Sequence, residues 1–370
     1  MKRIFILSFL FSVVLVSNSC KKDKLKYDTR SFYLGVTPWP PDFTSTGYNL
    51  AYNFINNDCD IVSHHFDDGV PWEEIYNNLS LPQKLIDDIS RRKQKTNSNK
   101  KVLLSVAALK ISRKERAGYY GDSPNTAYVS KWADKHFNDT AVVDAYVKFI
   151  IYLTVQLNAD YINFGVESNN GDWDAGDFEE YRQFISMVHT KLKTAYPNKP
   201  CFISFMVTPD SKFLTNAKQL EPYTDWVTIS AYPYSYIGSP VHGSSSPSLI
   251  PSGLFQSYAD INSAKPFAVA ETGYIAEDLN IPGSGLYKEG NAQWQEDYVN
   301  YLFDFCQKKH SKFIIWFCAY DYDAAVNTFN VIGYTQDIVL LWKDTGFIDE
   351  NLVKRSSYSV WKQWLKLPIQ

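Results

Sequence analysis

Eight short apolar runs recur along this chain, and they alternate with segments of helical periodicity. The runs are rich in β-branched and aromatic residues, as strands that are buried on both faces are. Strands that alternate with helices favour a parallel sheet, because a parallel strand needs a crossover connection. The runs lie at residues 32–37, 60–65, 102–108, 161–166, 201–206, 226–231, 267–270 and 313–318.

Helices are predicted between these runs, where apolar residues recur three and four positions apart. They lie at residues 49–57, 72–92, 140–157, 177–195, 291–308 and 358–365. Eight strand–helix units favour an α/β fold of one domain, a single (β/α)8 TIM barrel over residues 31–370. No G-x-G-x-x-G or Walker pattern follows the first run, which argues against a nucleotide-binding open sheet.

The composition excludes several other classes of protein. Aromatic residues make up 16% of the 370 residues, and 37 lysines and arginines face 40 aspartates and glutamates. The high aromatic content argues against a disordered chain. Because basic residues do not outnumber acidic ones, we expect no nucleic-acid partner. Its five cysteines form no C-x-x-C pair, which argues against a clustered zinc site. Four of the cysteines follow the N-terminal segment: Cys59, Cys201, Cys306 and Cys318. We expect most of them to be buried thiols and leave open whether two of them form a disulfide.

The N-terminus has the pattern of an export signal. Lys2 and Arg3 precede an apolar run at residues 4–16, which is too short to span a bilayer. We therefore predict a signal peptide at residues 1–19 and a short polar linker at residues 20–30.

The residue after this signal is a candidate for lipidation. A small residue before Cys20 resembles a bacterial lipobox, although Ser17 stands where a stricter lipobox has Leu or Val. The Cys-Lys-Lys-Asp start is similar to that of Bacteroidetes lipoproteins. The resemblance implies an exported outer-membrane or periplasmic protein that a lipid on Cys20 anchors to a membrane. The alternative is an ordinary cleaved signal with an incidental cysteine.

Two glutamates end apolar runs on opposite sides of the predicted barrel. Glu167 follows the fourth run and Glu271 the seventh. Active sites of TIM barrels lie at the carboxyl ends of the strands. A protonated and an ionised carboxyl group there suit glycoside cleavage. A helix-capping or ion-pairing role is the alternative for either glutamate.

These strand ends resemble those of clan A glycoside hydrolases, and in particular the endo-β-1,4-galactanases of family 53. Residues 265–274, Lys-Pro-Phe-Ala-Val-Ala-Glu-Thr-Gly-Tyr, look like that family's nucleophile strand. Residues 164–169, Phe-Gly-Val-Glu-Ser-Asn, look like its acid/base strand, and residues 225–233 resemble its strand six, which also ends in Tyr-Pro. The resemblance covers about residues 31–367.

The resemblance implies roles for four residues. Glu167 would be the general acid/base and Glu271 the nucleophile, while Tyr232 would hydrogen-bond to Glu271 and keep it oriented and ionised. Trp316 would supply a flat apolar surface beneath the sugar.

The chain also departs from the family pattern. Val166 stands where the family has an asparagine that binds the sugar 2-hydroxyl, so this contact is lost or comes from Asn169 or Asn163. His64 and His65 stand where clan A members often place an arginine.

Further residues at the strand ends are candidates for substrate binding. Tryptophan beside proline, or in a polar loop, suits sugar stacking, and polar side chains suit binding of hydroxyl groups. Core packing, turns or solvated loops are the alternatives in each case. These candidates are Trp39, His65, Asp67, Trp72, Asn169, Trp173, Tyr234 and Asp321. Together with Tyr232, Tyr274, Trp316 and Tyr320, the aromatic ones are expected to gather at one rim.

The prediction is a retaining β-glycoside hydrolase of polysaccharides or oligosaccharides. We expect it to be monomeric, with no cofactor. A barrel that binds glycan without cleaving it is the alternative, since Val166 replaces an asparagine. A metal-dependent hydrolase at His64 and His65 is a third, although adjacent strand residues point to opposite faces.

Overall fold

The computed structural model describes residues 26–121, 126–331 and 337–370. The predicted signal peptide, Cys20 and most of the linker lie outside the described residues.

The strands form the predicted barrel. All neighbouring barrel strands are parallel, and the two ends of the hydrogen-bonded order are two segments of strand five, joined by Ile203. The eight-membered ring therefore closes through one continuous stretch of chain. The strands are β1 (Tyr33–Val36), β2 (Ile61–Phe66), β3 (Lys101–Val106), β4 (Tyr161–Asn163), β5 (Cys201–Phe202 and Ser204–Met206), β6 (Val227–Ala231), β7 (Phe267–Thr272) and β8 (Phe313–Trp316).

Helices surround the barrel. They are α1 (Ser45–Asp58), α2 (Trp72–Asn77), α3 (Gln83–Lys95), α4 (Ser130–Ala133), α5 (Thr140–Leu157), α6 (Ala175–Ala195), α7 (Ser211–Leu220), α8 (Leu254–Ala259), α9 (Ala292–Lys308), α10 (Asp323–Val331) and α11 (Ser356–Leu365). A small sheet of three strands, Gly243–Ser244, Leu279–Ile281 and Leu286–Glu289, lies in the loops after β6 and β7.

Most predicted helices are present with shifted ends. The helix predicted at 72–92 is instead two helices, because Asn78 adopts a left-handed conformation and Pro82 precedes the second. Four helices, α4, α7, α8 and α10, were not predicted from the sequence. Among the described helices, only α5 is long and apolar enough to cross a membrane, but 56% of it is buried inside the protein.

Alternation along the strands divides the core into two layers. Ile61, Leu103 and Phe313 belong to a small cluster of strand residues inside the barrel, whereas Val62 and Leu104 belong to the large layer that packs against the helices. The four cysteines of the described chain are free and buried, as expected for most of them, and none forms a disulfide.

Towards the carboxyl ends of the strands the barrel interior becomes polar. Ser105, Asn163 and Ser204 are all buried, and the Asn163 amide donates to the other two hydroxyls at 3.5 and 3.3 Å. We call these three residues the polar layer. It lies between the apolar interior and the open end of the barrel.

His64 generates a prediction about stability and pH. It faces the helix layer, 3.2 Å from the Thr96 hydroxyl, where burial and then the charge of Arg92 hold its pKa well below 6.5. The unfolded chain takes up a proton near pH 6.5 that the folded chain does not, so stability falls as the pH drops below that value. We expect His64→Gln to reduce this loss by up to about 1.4 kcal/mol per pH unit.

Urea unfolding of both proteins at pH 7.5, 6.5 and 5.5 measures the effect. If the free energy of unfolding changes with pH equally in the wild type and in His64→Gln, then His64 takes up a proton in the folded protein as readily as in the unfolded chain, and this prediction is wrong.

Candidate active site

Glu271 lies at the end of β7 and points into the mouth of the barrel. Its two oxygens have separate partners: the Tyr232 hydroxyl donates to Oε1 at 2.6 Å, and Nδ1 of His65 lies 3.0 Å from Oε2. Tyr232 directly follows β6, and His65 is the penultimate residue of β2. The contact implied for Tyr232 by the family resemblance is therefore present.

A local irregularity in β7 aims this glutamate inward. Ala268 and Ala270 already face the barrel interior, so strict alternation would turn Glu271 outward. The pairing of β6 with β7 shifts by one residue there, from Ile229 opposite Val269 to Ser230 opposite Glu271. A bulge of this kind reverses the direction of the side chains that follow it.

The partners of Glu271 favour its ionised form. Burial alone would raise its pKa, but the hydrogen bond and charge of His65, the hydrogen bond from Tyr232 and the charge of Arg113 outweigh burial, so the pKa of Glu271 is lowered. For His65, burial opposes protonation but Glu271 and then Asp67 outweigh it and raise the pKa. Burial, followed by the Glu271 charge, raises the pKa of Tyr232 well above 10, so the phenol keeps its proton.

Glu167 follows β4 in a left-handed backbone conformation, with φ 51°. Its backbone N–H donates to the Ser204 hydroxyl of the polar layer at 3.0 Å. Its carboxylate accepts a hydrogen bond from the Ser230 hydroxyl at 2.7 Å and one from Nε of Arg113 at 2.9 Å. The polar layer and two side chains from other elements thus determine where this carboxylate points.

Ser230 brings the two glutamates to the same place. Its backbone is opposite Glu271 in the sheet register, and its side chain is bonded to Glu167. The carboxyl groups predicted from two separate sequence motifs therefore share one end of the barrel.

Charged residues also connect the two glutamates. Arg113 binds Asp67 through both terminal nitrogens, at 3.1 and 2.9 Å, and Asp67 lies 3.8 Å from Nε2 of His65. We call His65, Asp67, Arg113, Glu167 and Glu271 the ion-pair network. His65 and Asp67 were predicted from the sequence to contact substrate, and the structure places both beside the glutamates.

Arg113 and Ser230 were missed by sequence reasoning. Arg113 lies seven residues beyond the end of β3, in a tight turn where its own φ is 56°. No pattern along the chain shows that this turn folds back over β4. Ser230 was more accessible to prediction, because it lies two residues before Tyr232, which directly follows β6, and alternation turns both side chains to the same side.

Aromatic side chains line one side of the mouth. Phe317 packs 5.8 Å from Trp39 and 5.9 Å from Trp342, and Trp342 lies 5.8 Å from Tyr232, the partner of Glu271. Trp39, Phe317 and Trp342 are only partly buried, and we call them the aromatic cluster. Trp39 was predicted here, whereas Phe317 and Trp342 were not.

The prediction that Trp316 lies beneath a sugar is wrong. Its side chain is 0% exposed, stacks on Phe347 at 4.7 Å and donates its indole N–H to the Thr345 carbonyl. Phe313 and Ile315 face the barrel interior, so alternation turns Trp316 to the helix layer and leaves Phe317 at the mouth.

Two other predicted aromatic contacts are core residues. Trp72 is fully buried against Trp132, with its indole donating to the carbonyls of Ala117 and Gly118. Tyr234 is also fully buried and donates its hydroxyl to the Leu341 carbonyl. Tyr274 and Tyr320 are buried as well, so the expected aromatic rim is smaller than predicted.

Two predicted polar contacts are structural. Asn169 is fully buried, and its amide is occupied by the backbone of Met206 and Phe213. Asp321 accepts from the Gly346 N–H and pairs with Arg355. Neither side chain has a free face for a ligand.

Trp173 packs against the helix layer. It stacks on Tyr181 of α6 with ring centroids 5.1 Å apart and stays partly exposed. Its predicted role in substrate binding stays a prediction.

The two histidines do not form a metal site. His64 contacts Thr96 in the helix layer and His65 contacts Glu271 in the mouth, because adjacent strand residues point to opposite faces. Within the described ranges, the carboxylate groups with metal-like spacing centre on Asp321, where Arg355 and Lys343 already supply positive charge.

Solved structures of glycoside hydrolases share this fold. Against the exo-β-1,4-mannosidase Op5Man5 from Opitutaceae bacterium strain TAV5, the TM-score is 0.60 at 12% identity, over 91% of this chain and only 60% of that one. The Ignisphaera aggregans GH53 catalytic domain gives 0.55 at 16% identity, over 92% and 97%. Xylanase 10B from Thermotoga maritima gives 0.56 at 11% identity, over 91% and 95%.

These likenesses confirm the predicted TIM barrel, and the neighbours are clan A glycoside hydrolases. Neither a protein-family model nor a curated protein matches the sequence.

Trp316 should contribute more to stability than its neighbour Phe317, because Trp316 is fully buried and Phe317 is partly exposed. Trp316→Ala removes a fully buried side chain, and we expect it to reduce the free energy of unfolding by about 3–5 kcal/mol. Phe317→Ala removes a partly exposed ring, so a loss of about 1–2 kcal/mol is expected. Urea unfolding of both variants measures the difference, and a larger loss for Phe317→Ala would contradict this placement.

Proposed function

We propose that this protein is a retaining β-glycoside hydrolase in which Glu271 is the nucleophile and Glu167 the general acid/base. The observation that carries the proposal is the pair of carboxylates, held at one end of the barrel by different partners. Glu271 has a phenol and an imidazole that favour its ionised form, as a nucleophile requires. The clan A neighbours support the reaction class.

In the first step the bond between the anomeric carbon and the leaving oxygen breaks. Glu271 attacks the anomeric carbon and forms a glycosyl ester, while protonated Glu167 gives its proton to the leaving oxygen. Tyr232 and His65 hold the carboxylate of Glu271 at a fixed orientation, so less freedom is lost in the transition state.

In the second step water cleaves the ester. Ionised Glu167 takes a proton from the water, whose oxygen attacks the anomeric carbon and releases the Glu271 carboxylate. Two inversions give a product with the configuration of the substrate.

The aromatic cluster supports a carbohydrate substrate. Partly exposed rings of Phe317, Trp39 and Trp342 lie on the same side of the mouth as Tyr232. Apolar faces of pyranose rings pack well on such side chains. We propose that a polysaccharide or oligosaccharide is bound there.

Removal of either glutamate tests the proposal on 2,4-dinitrophenyl and phenyl β-glycosides of galactose, mannose, glucose and xylose. We expect Glu271→Gln to lower turnover by about 10³-fold or more. Glu167→Gln should lower turnover of the phenyl substrate by about 10²- to 10⁴-fold. Glu289→Gln, which changes an exposed carboxylate after β7, serves as the matched control.

Trapping identifies the nucleophile directly. A 2-deoxy-2-fluoro glycosyl fluoride of the same sugar should leave a glycosyl ester on Glu271, seen by mass spectrometry of peptides. Full activity of Glu271→Gln, or a label elsewhere, would overturn the assignment.

Oligosaccharide binding by calorimetry with no product would favour the glycan-binding alternative, which the apolar Val166 motivates.

We further propose that the protein is exported and lipid-anchored at Cys20. The signal pattern of residues 1–19 and the Cys-Lys-Lys-Asp start support this. Labelling with radioactive palmitate in a bacterial host should mark the wild type and not Cys20→Ala, which removes the acceptor thiol. Equal labelling of both would rule out this anchor.

A further inference from the structure

Arg113 touches one of the two proposed catalytic glutamates and is not part of the family resemblance. Its side chain is 6% exposed. Its Nε donates to Glu167 at 2.9 Å, and its two terminal nitrogens donate to Asp67. A guanidinium only donates, so Glu167 is the acceptor in this contact, and a charged carboxylate accepts such a bond more strongly than a neutral carboxyl group does.

A retaining mechanism changes the charge of Glu167 twice in each turnover. A buried cation that loses its partner is costly, because no water replaces the lost contact. Asp67 removes this difficulty, since it occupies both terminal nitrogens whatever the state of Glu167. Arg113 contacts Glu167 through one nitrogen only, so the carboxyl group can leave while the guanidinium stays paired.

Asp67 itself is held from the other side. His65 lies 3.8 Å from it and also contacts Glu271. Asp67 therefore lies between the Arg113 guanidinium and the His65 imidazole, whose pKa is raised by Glu271 and Asp67. The geometry separates a permanent pair, Arg113 with Asp67, from an exchangeable one, Arg113 with Glu167.

We propose that Arg113 is a positioning residue that holds Glu167 as the general base for the second step, and that Asp67 is the counter-charge that lets Glu167 return to its acid form. This inference rests on the proposed function and adds a division of labour between two flanking residues. Arg113 supports deglycosylation, whereas Asp67 supports proton donation to the leaving group.

Leaving groups separate the two steps. A dinitrophenyl glycoside needs no proton from Glu167, so its turnover is limited by deglycosylation and depends on the general base. A phenyl glycoside needs that proton, so its kcat/KM depends on the general acid. Both substrates carry whichever of galactose, mannose, glucose and xylose the wild type hydrolyses fastest.

Arg113→Met keeps an unbranched stem of similar length up to the position of Nε and removes the charged guanidinium group. We expect it to lower kcat for the dinitrophenyl glycoside by about 10- to 100-fold, as for loss of a charged hydrogen bond. Stopped-flow traces should show a burst of dinitrophenolate followed by the slow phase. The kcat/KM for the phenyl glycoside should change much less.

Asp67→Asn should have the opposite signature. Without its counter-charge, Arg113 pairs with Glu167 alone and retains it as a carboxylate. The kcat/KM for the phenyl glycoside should fall by about 10-fold or more, while kcat for the dinitrophenyl glycoside changes much less. Arg113→Lys, which keeps the charge, should recover part of the dinitrophenyl turnover.

Arg116→Met is the matched control. Arg116 is a buried arginine of the same segment, bonded to the carbonyls of Trp132 and Lys135 and to neither glutamate. We expect Arg116→Met to change turnover of the dinitrophenyl and phenyl glycosides by the same factor. Circular dichroism melting of each variant shows whether it is folded in the assay.

The outcomes distinguish the inference from the proposed function. Equal losses on both substrates for Arg113→Met and Asp67→Asn, in folded proteins, would overturn the inference and leave the hydrolase intact. No release of dinitrophenolate by the wild type from any of the four sugars would overturn the proposed function, and the inference with it.

Discussion

Alternation of side chains across the barrel wall is the constraint on which the rest of this structure depends. Along β2, Ile61 packs in the barrel interior, Val62 and His64 face the helices, and His65 reaches the mouth. The same strands therefore supply the core, the polar layer and the site. The one place where β7 breaks this alternation is the place where Glu271 turns inward.

The site combines burial with compensation of charge. Glu167, Glu271 and Asp67 would repel one another at such close quarters, but Arg113 and His65 lie between them. The two glutamates consequently have different surroundings: a phenol and an imidazole at one, a hydroxyl and a guanidinium at the other. Different surroundings are what allow two residues of the same type to take different chemical roles.

Aromatic residues show most clearly where sequence reasoning succeeded and failed. Position after a strand correctly predicts that Trp39 and Tyr232 lie at the mouth. It failed for Trp316 and Tyr234, which are buried among other aromatic rings. Counting alternate residues from Phe313 would have identified Phe317 instead of Trp316, whereas Trp342 arrives from a distant loop that no local pattern reveals.

The sequence by itself determined the barrel, because buried parallel strands and amphipathic helices have periodic patterns that are read without knowledge of contacts. It also predicted that Glu167, Glu271 and Tyr232 lie at the mouth, since each lies close to the carboxyl end of a strand. Only the tertiary structure decided how their charges are balanced. Arg113 reaches Glu167 from 54 positions away and Asp67 from 46 positions away, and such contacts arise from the path of a loop in space, which leaves no period in the sequence.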